Sequence, residues 1–173
     1  MITGLNRCRK LPEYEEMNFL GEFTHAVDGQ RRVAVPKNWR GPKDTPTRFF
    51  ALPGRNQALH LLPDYAFQDF MKQVRKVSFL NPKVSRALAQ IGAKAQELQC
   101  DKQGRIALSQ YLKDYAQIDS EAVLVGAFTT AQIWSKENWL KQDDDPEATL
   151  DVIDSLFNGD GDLLNALQNL GDK

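Results

Sequence analysis

Asp28 and Arg32 stand four residues apart in "DGQRR", and Asp101 and Arg105 repeat that spacing in "DKQGR", 73 residues further along. A short run of apolar β-formers follows each pair, "VAVP" after the first and "IALS" after the second. The Asp of such a stretch can accept hydrogen bonds from backbone N–H groups two residues on and so fix a turn. The Arg then leaves a rigid strand as a planar fork of donors, a shape that suits phosphate oxygens or the O6/N7 edge of guanine. The competing reading is an Asp–Arg ion pair closed within the turn, which contributes little where it is exposed. One copy alone would favour the ion pair. Two copies at matching positions shift the balance toward an anionic ligand.

Other chemistry finds no constellation. The histidines are His25 and His60, neither with a nucleophile at a recognisable spacing, and Cys8 and Cys100 lack a CxxC partner. Cys100 falls in an expected strand as a small apolar residue. No GxxxxGK[ST], GxSxG or GxGxxG occurs. "DDDPEATLDVID" and "NGDGDLL" lack the central Gly and closing Glu of a calcium loop, and read as a solvated acidic face. The expectation is a protein without catalytic residues, metal, cofactor or small-molecule substrate, and not an enzyme. Trp39, Trp134 and Trp139 are assigned to core or interface packing.

The elements that must position the two pairs follow from local pattern. Phe19 to Val27 alternates and ends at the Asp28-Gly29 turn, and "RVAVP" is a strand closed by Pro36. "KNWRGP" allows one helical turn before Gly41-Pro42. "TRFFALPG" and "QALHLLP" are strands about a Gly54-Arg55-Asn56 turn. An amphipathic helix then opens at Pro63, carrying Tyr65, Phe67, Phe70, Met71 and Val74. Asn81 suits an N-cap and Pro82 the first position of the next helix. From Glu97 the strand, turn, helix and hairpin order recurs. An offset of 73 keeps Thr24 to Ala66 in register with the later segment without a gap: Gln30 meets Gln103, Trp39 meets Leu112, "FFALPG" meets "AVLVGA". This is an internal duplication. Each repeat is too small to bury a core unaided, so both must close one β-structure together. The helices between Pro63 and Gln96 pack outside it and link the halves.

Across 173 residues the net charge is -1, but it is unevenly spread. Residues 143–173 hold nine acids and one Lys, leaving 21 basic and 14 acidic residues in the body. A basic body can release counterions from phosphates. No apolar run approaches a membrane span, and the first twenty residues lack a signal peptide's apolar core, so a cytoplasmic protein is expected. Leu150, Ile153, Leu156 and Phe157 mark one short amphipathic helix in the tail, and Leu163, Leu164, Leu167 and Leu170 a second.

The paired turns "DGQRRVAVP" and "DKQGRIALS", the start "MNFLGEFTHAVD" and the closing "FTTAQIWSKENW" closely resemble the MraZ family of bacterial DNA-binding proteins, within the AbrB/SpoVT group of swapped-hairpin barrels. The resemblance covers roughly Met17 to Leu140. It implies an α+β protein: a duplicated AbrB-like (swapped-hairpin, double-split) β-barrel with peripheral helices. The expected organisation is an N-terminal extension at 1–16, a first repeat with its helix at 17–80 and a linking helix at 81–96. A second repeat at 97–142 and an acidic tail at 143–173 follow. The family further implies ring-shaped homo-oligomers that bind double-stranded DNA at promoter direct repeats of division and cell-wall genes, in the cytoplasm and at the nucleoid. Carried onto this chain, the DNA-binding residues are Arg32, Arg31, Gln30, Arg105 and Lys102. Asp28, Asp101 and Gly104 structure the turns.

One position departs from the family, which has Gly just before the motif Arg. Gly104 keeps it; the first repeat has Arg31. Where that position needs a positive φ, Arg costs about 1 kcal/mol relative to Gly. Alternatively, "QRR" offers the phosphate backbone a second cation. Two functions follow: a DNA-binding transcriptional regulator, or a scaffold with the same fold that has lost specific DNA binding.

Overall fold

The computed structural model describes residues 17–42, 46–78, 80–142 and 145–158. The expected extension at 1–16 and the second tail helix lie outside the described residues. The first repeat supplies β1 (Glu22–Ala26), β2 (Arg32–Ala34), a 3-10 turn (Lys37–Trp39), β3 (Arg48–Pro53) and β4 (Leu59–Pro63). Helices α1 (Asp64–Lys76) and α2 (Pro82–Lys94) follow. The second repeat supplies β5 (Gln96–Gln99), β6 (Arg105–Ala107), α3 (Gln110–Tyr115), β7 (Glu121–Ala127), β8 (Thr130–Ser135) and α4 (Lys136–Leu140). A separate unit, Lys141–Lys173, contains α5 (Pro146–Asn158).

The strand order is β1-β7-β8-β4-β3-β5, with β2 and β6 forming a second, two-stranded ribbon. Exchanging each strand for its repeat mate turns that order into its own reverse. The two repeats therefore do not stand side by side as separate sheets. The first strand of each pairs with the third strand of the other: β1 with β7 and β5 with β3. The registers agree to the residue, since His25 faces Ala122 where Leu98 faces Phe49. On the ribbon Val33 faces Ile106, its own counterpart, so the two-fold relation passes between them. This is the duplicated, swapped-hairpin α+β arrangement that the sequence implies.

One core joins the halves, as the size of each repeat requires. Val33, Val35, Trp39, Phe49, Ala51, Leu59 and Leu61 share it with Leu98, Ile106, Leu108, Leu112, Ala122, Leu124 and Ile133. Repeat mates trade volume across the two-fold: Phe49 answers Ala122, and Ala51 answers Leu124. Large opposite small fills the interior without overpacking. Phe19 closes one end with edge-on contacts to Trp39 and Phe49, at ring-centre distances of 5.5 and 6.1 Å. Trp39 is fully buried, and its Nε1–H donates to the Leu20 carbonyl at 3.2 Å. Trp134 is also buried, against Trp139 at 5.7 Å.

Asn81 caps α2 by accepting from the amides of Lys83 and Val84, and Pro82 takes the first turn. Neither α1 nor α2 has a buried residue. Cys100 lies one position beyond β5, half-buried, with its thiol pushed up to about 11 chiefly by burial. Among the described residues no helix is long and apolar enough to cross a membrane.

Candidate nucleic-acid interface

The strands deliver both Asp/Arg pairs to one place. Because β2 and β6 are antiparallel about Val33 and Ile106, Arg32 stands opposite Ala107 and Arg105 opposite Ala34. The two motif arginines therefore leave the same two-stranded ribbon, and the turns that precede them flank it.

Each turn is built the same way. Asp28 Oδ1 accepts from the amides of Gln30 and Arg32, both at 2.9 Å. Asp101 Oδ1 accepts from the amides of Gln103 and Arg105, again at 2.9 Å. The Asp carbonyls accept from the amides of Arg31 (2.8 Å) and Gly104 (2.9 Å), closing each turn. The carbonyls of Arg31 and Gly104 then accept from Leu108 and Val35, each across the two-fold. An Asp side chain is needed because no backbone group can satisfy two amides pointing into so tight a bend.

The position before each motif Arg does adopt the left-handed conformation, φ 75° at Gly104 and 60° at Arg31. Arg31 carries its strain with a compensating contact: its Nε–H donates to the Leu108 carbonyl at 3.1 Å. Its side chain thus folds toward the other repeat. At Gly104 an added Cβ would overlap the Arg40 guanidinium, so that site excludes a side chain twice, by backbone and by space.

The guanidinium groups differ in what they hold. Arg32 places Nε 2.7 Å from Asp28 Oδ2, and about a third of its side chain is exposed. Arg105 places Nε and Nη2 at 2.9 and 2.8 Å from Asp101 Oδ2, and Nη1 3.6 Å from Asp28 Oδ2. These bonds hold both carboxyls below the usual range. Asp101 falls to about 2, mainly through the Arg105 side chain. Asp28 is lowered mainly by the Arg32 amide. The ion pair within the turn is therefore present in both copies. It also orients the fork: with Nε tied back to Asp28, the plane of the Arg32 guanidinium is fixed relative to the turn. Gln30 and Lys102 are exposed on the outer arms of their turns.

Lys37 and Arg40 were absent from the residues read from sequence. Both line a cleft beside the second turn with Lys102, Cys100 and Gly104. The repeat alignment sets "KNWR" against "QYLK" and so marks two cations where the second repeat has one, but only the fold brings them beside the second turn.

Comparison with known proteins places this architecture. Residues 91–153 match the family described as "MraZ protein, putative antitoxin-like", a match that runs through the second repeat and into α5. A protein of Desulfitobacterium hafniense named "Transcriptional regulator MraZ" is 33% identical over 81% of this chain and 97% of its own length. Relatives of the same name from Desulforamulus reducens and Thermomicrobium roseum are 32% and 35% identical, over 78% and 72% of this chain and 94% and 86% of their own. With the relatives matched over nearly their full length and both Asp/Arg turns in place, the chain belongs to the MraZ family.

Proposed function

We propose that this protein is a DNA-binding transcriptional regulator and not an enzyme. One observation carries the reading: a single β ribbon presents both motif arginines, each steadied by its own Asp, on one surface. A pair of preoriented forks can meet phosphates and base edges of one duplex with little ordering cost. Arg32 is the principal contact, with Gln30, Arg31, Arg105 and Lys102 around it. Asp28, Asp101 and Gly104 hold the turns. The relatives' shared name supports the same reading.

The finer parts of the proposal are a ring-shaped homo-oligomer acting on promoter direct repeats upstream of division and cell-wall genes, in the cytoplasm and at the nucleoid. Assembly is supported by α1 and α2, amphipathic helices without a buried residue, by Ile91 exposed on α2, and by Val77 and Leu80 exposed in the connection between them. Several weak sites reading tandem repeats gain avidity from the ring.

The test is binding to DNA upstream of the protein's own gene against scrambled DNA, across a salt series. Preference for the upstream DNA, with log K falling steeply against log salt, is expected. The scaffold reading draws on the ion pairs that already engage both arginines, and equal or absent binding to the two DNAs would select it.

A further inference from the structure

Arg40 is the anomaly among the half-buried arginines. Arg32, Arg48 and Arg105 each lie against a carboxylate, and Arg31 against a carbonyl. Arg40 has none of these among the described residues, and its Nε–H is buried without a hydrogen-bond partner. A guanidinium partly removed from water and left without an acceptor is costly. Fold stability gives no reason to keep it there. Its seat is shaped for it nonetheless, because the missing Cβ of Gly104 is the space that the guanidinium occupies.

The surroundings supply more positive charge. Arg40 lines a cleft of about 640 Å³ with Lys37, Lys102, Thr47, Cys100 and Asp101. Among the described residues that makes three cations against one carboxylate, and the carboxylate is already held by Arg105. The Arg40 charge reaches across the cleft far enough to oppose the effect of burial on the Cys100 thiol. The volume lies within the range of small-ligand sites, roughly 300–1,000 Å³. The positions related to these by the two-fold carry different residues. Lys37 and Arg40 correspond to Gln110 and Lys113, Gly41 and Pro46 to Asp114 and Asp119, and Lys102 to Gly29. The set of three cations is not repeated at the two-fold-related positions.

We propose that the cleft is a seat for a phosphoryl oxyanion, held by Arg40 with Lys37 and Lys102. A planar donor fork flanked by two flexible ammonium groups suits a tetrahedral, multiply charged oxyanion. The phosphoryl group has two sources, a backbone phosphate of bound duplex or free phosphate in solution. The seat itself does not rest on the DNA reading; only the first source does.

The experiment has two arms on the full chain. Inorganic phosphate is titrated at constant ionic strength while the Gly104 amide resonance is followed in wild type, Arg40→Gln and Lys37→Gln, and the Arg40 Nε–H resonance in wild type and Lys37→Gln. The same proteins are titrated with duplex DNA across a salt series. A saturable shift in wild type, weakened at least tenfold in Arg40→Gln with an unchanged salt slope, identifies free phosphate as the occupant. No free-phosphate binding, with a salt slope for DNA shallower by about one in Arg40→Gln, identifies a backbone phosphate. Absence of both effects overturns the proposal. Lys37 is exposed, so Lys37→Gln gives a smaller loss of the same kind and decides the matter if Arg40→Gln does not fold. If wild type binds no DNA, the regulator reading fails. The phosphate arm then decides alone, and no saturable shift overturns the seat.

Discussion

In the turn at Asp101, Arg105 grips its own Asp with two nitrogens and leans a third toward Asp28. In the turn at Asp28, Arg32 is tied by Nε. The backbones are otherwise alike: the same amides donate to the same carboxylate oxygen, and the same left-handed residue precedes the Arg. What differs is everything the side chains do next. The first turn fills its left-handed position with Arg31 and bonds it to Leu108 across the two-fold. The second leaves that position bare, and Arg40 moves in. The bend is shared, and the side chains differ: the second turn is braced and flanked by a cationic cleft, while Arg32 in the first is tied by a single bond.

Exchanging the left-handed residues breaks that comparison most severely. Gly104→Arg forces a side chain into the Arg40 seat at φ 75°, and should destabilise by about 3 kcal/mol in urea unfolding, from overpacking and backbone strain together. Arg31→Gly, which loses the bond to Leu108 but relieves the left-handed backbone, should stay within about 1 kcal/mol of wild type. Equal losses would mean that the turns are interchangeable after all.

Truncating the motif arginines comes next. Arg32→Ala should weaken specific DNA binding by about 1–3 kcal/mol and leave melting close to wild type. Arg105→Ala, which removes both bonds to Asp101 Oδ2 and the longer contact with Asp28, should lower Tm more than Arg32→Ala does. A gel-shift titration and a thermal melt on the two variants check this, and the reverse order would move the contact to the second turn.

A smaller effect separates the segments after each ribbon strand. Ser109 caps α3 by accepting from the Leu112 amide at 3.2 Å, whereas its repeat mate Pro36 offers no side-chain cap and the chain makes only a 3-10 turn. Ser109→Ala should cost about 1 kcal/mol.

Acid gives the gentlest probe. Carboxyls lowered in the folded state favour folding above their ordinary value of 3.8, and that contribution disappears as pH falls through the folded values. The Gln103 amide should therefore titrate near pH 2 with Asp101, and the Gln30 amide at a pH below 3.8 with Asp28. An Asp101 midpoint at its ordinary value would remove the bracing role given to Arg105.

The turns were legible in the sequence because a tight bend admits few residue types, so Asp, the left-handed position and the 73-residue offset survive as letters. The Asn81-Pro82 helix start was legible for the same reason. Strand partners were not. Nothing in the β1 or β7 segment names the other, since pairing across the two-fold is fixed by the shared core rather than by local propensity. Arg40 escaped notice because its role depends on an absent atom, the Cβ of Gly104. In the sequence Arg31 offers a cation or a strained backbone; its bond to Leu108 depends on which chain segment lies across the ribbon.

The exchange of first strands also sets a timetable for the nascent chain. Ala26 pairs with Glu121, so β1 leaves the ribosome long before its partner exists. At ordinary translation speeds the wait is roughly 5–20 s. Throughout it, β1 is an open edge, and the same holds for any chain that stops short of β7. The complementarity that lets one half complete the other makes each unfinished half complementary to a second copy. Fragments ending before Glu121 should therefore pair between molecules and exchange strands, a hazard written into the fold by the duplication that created it.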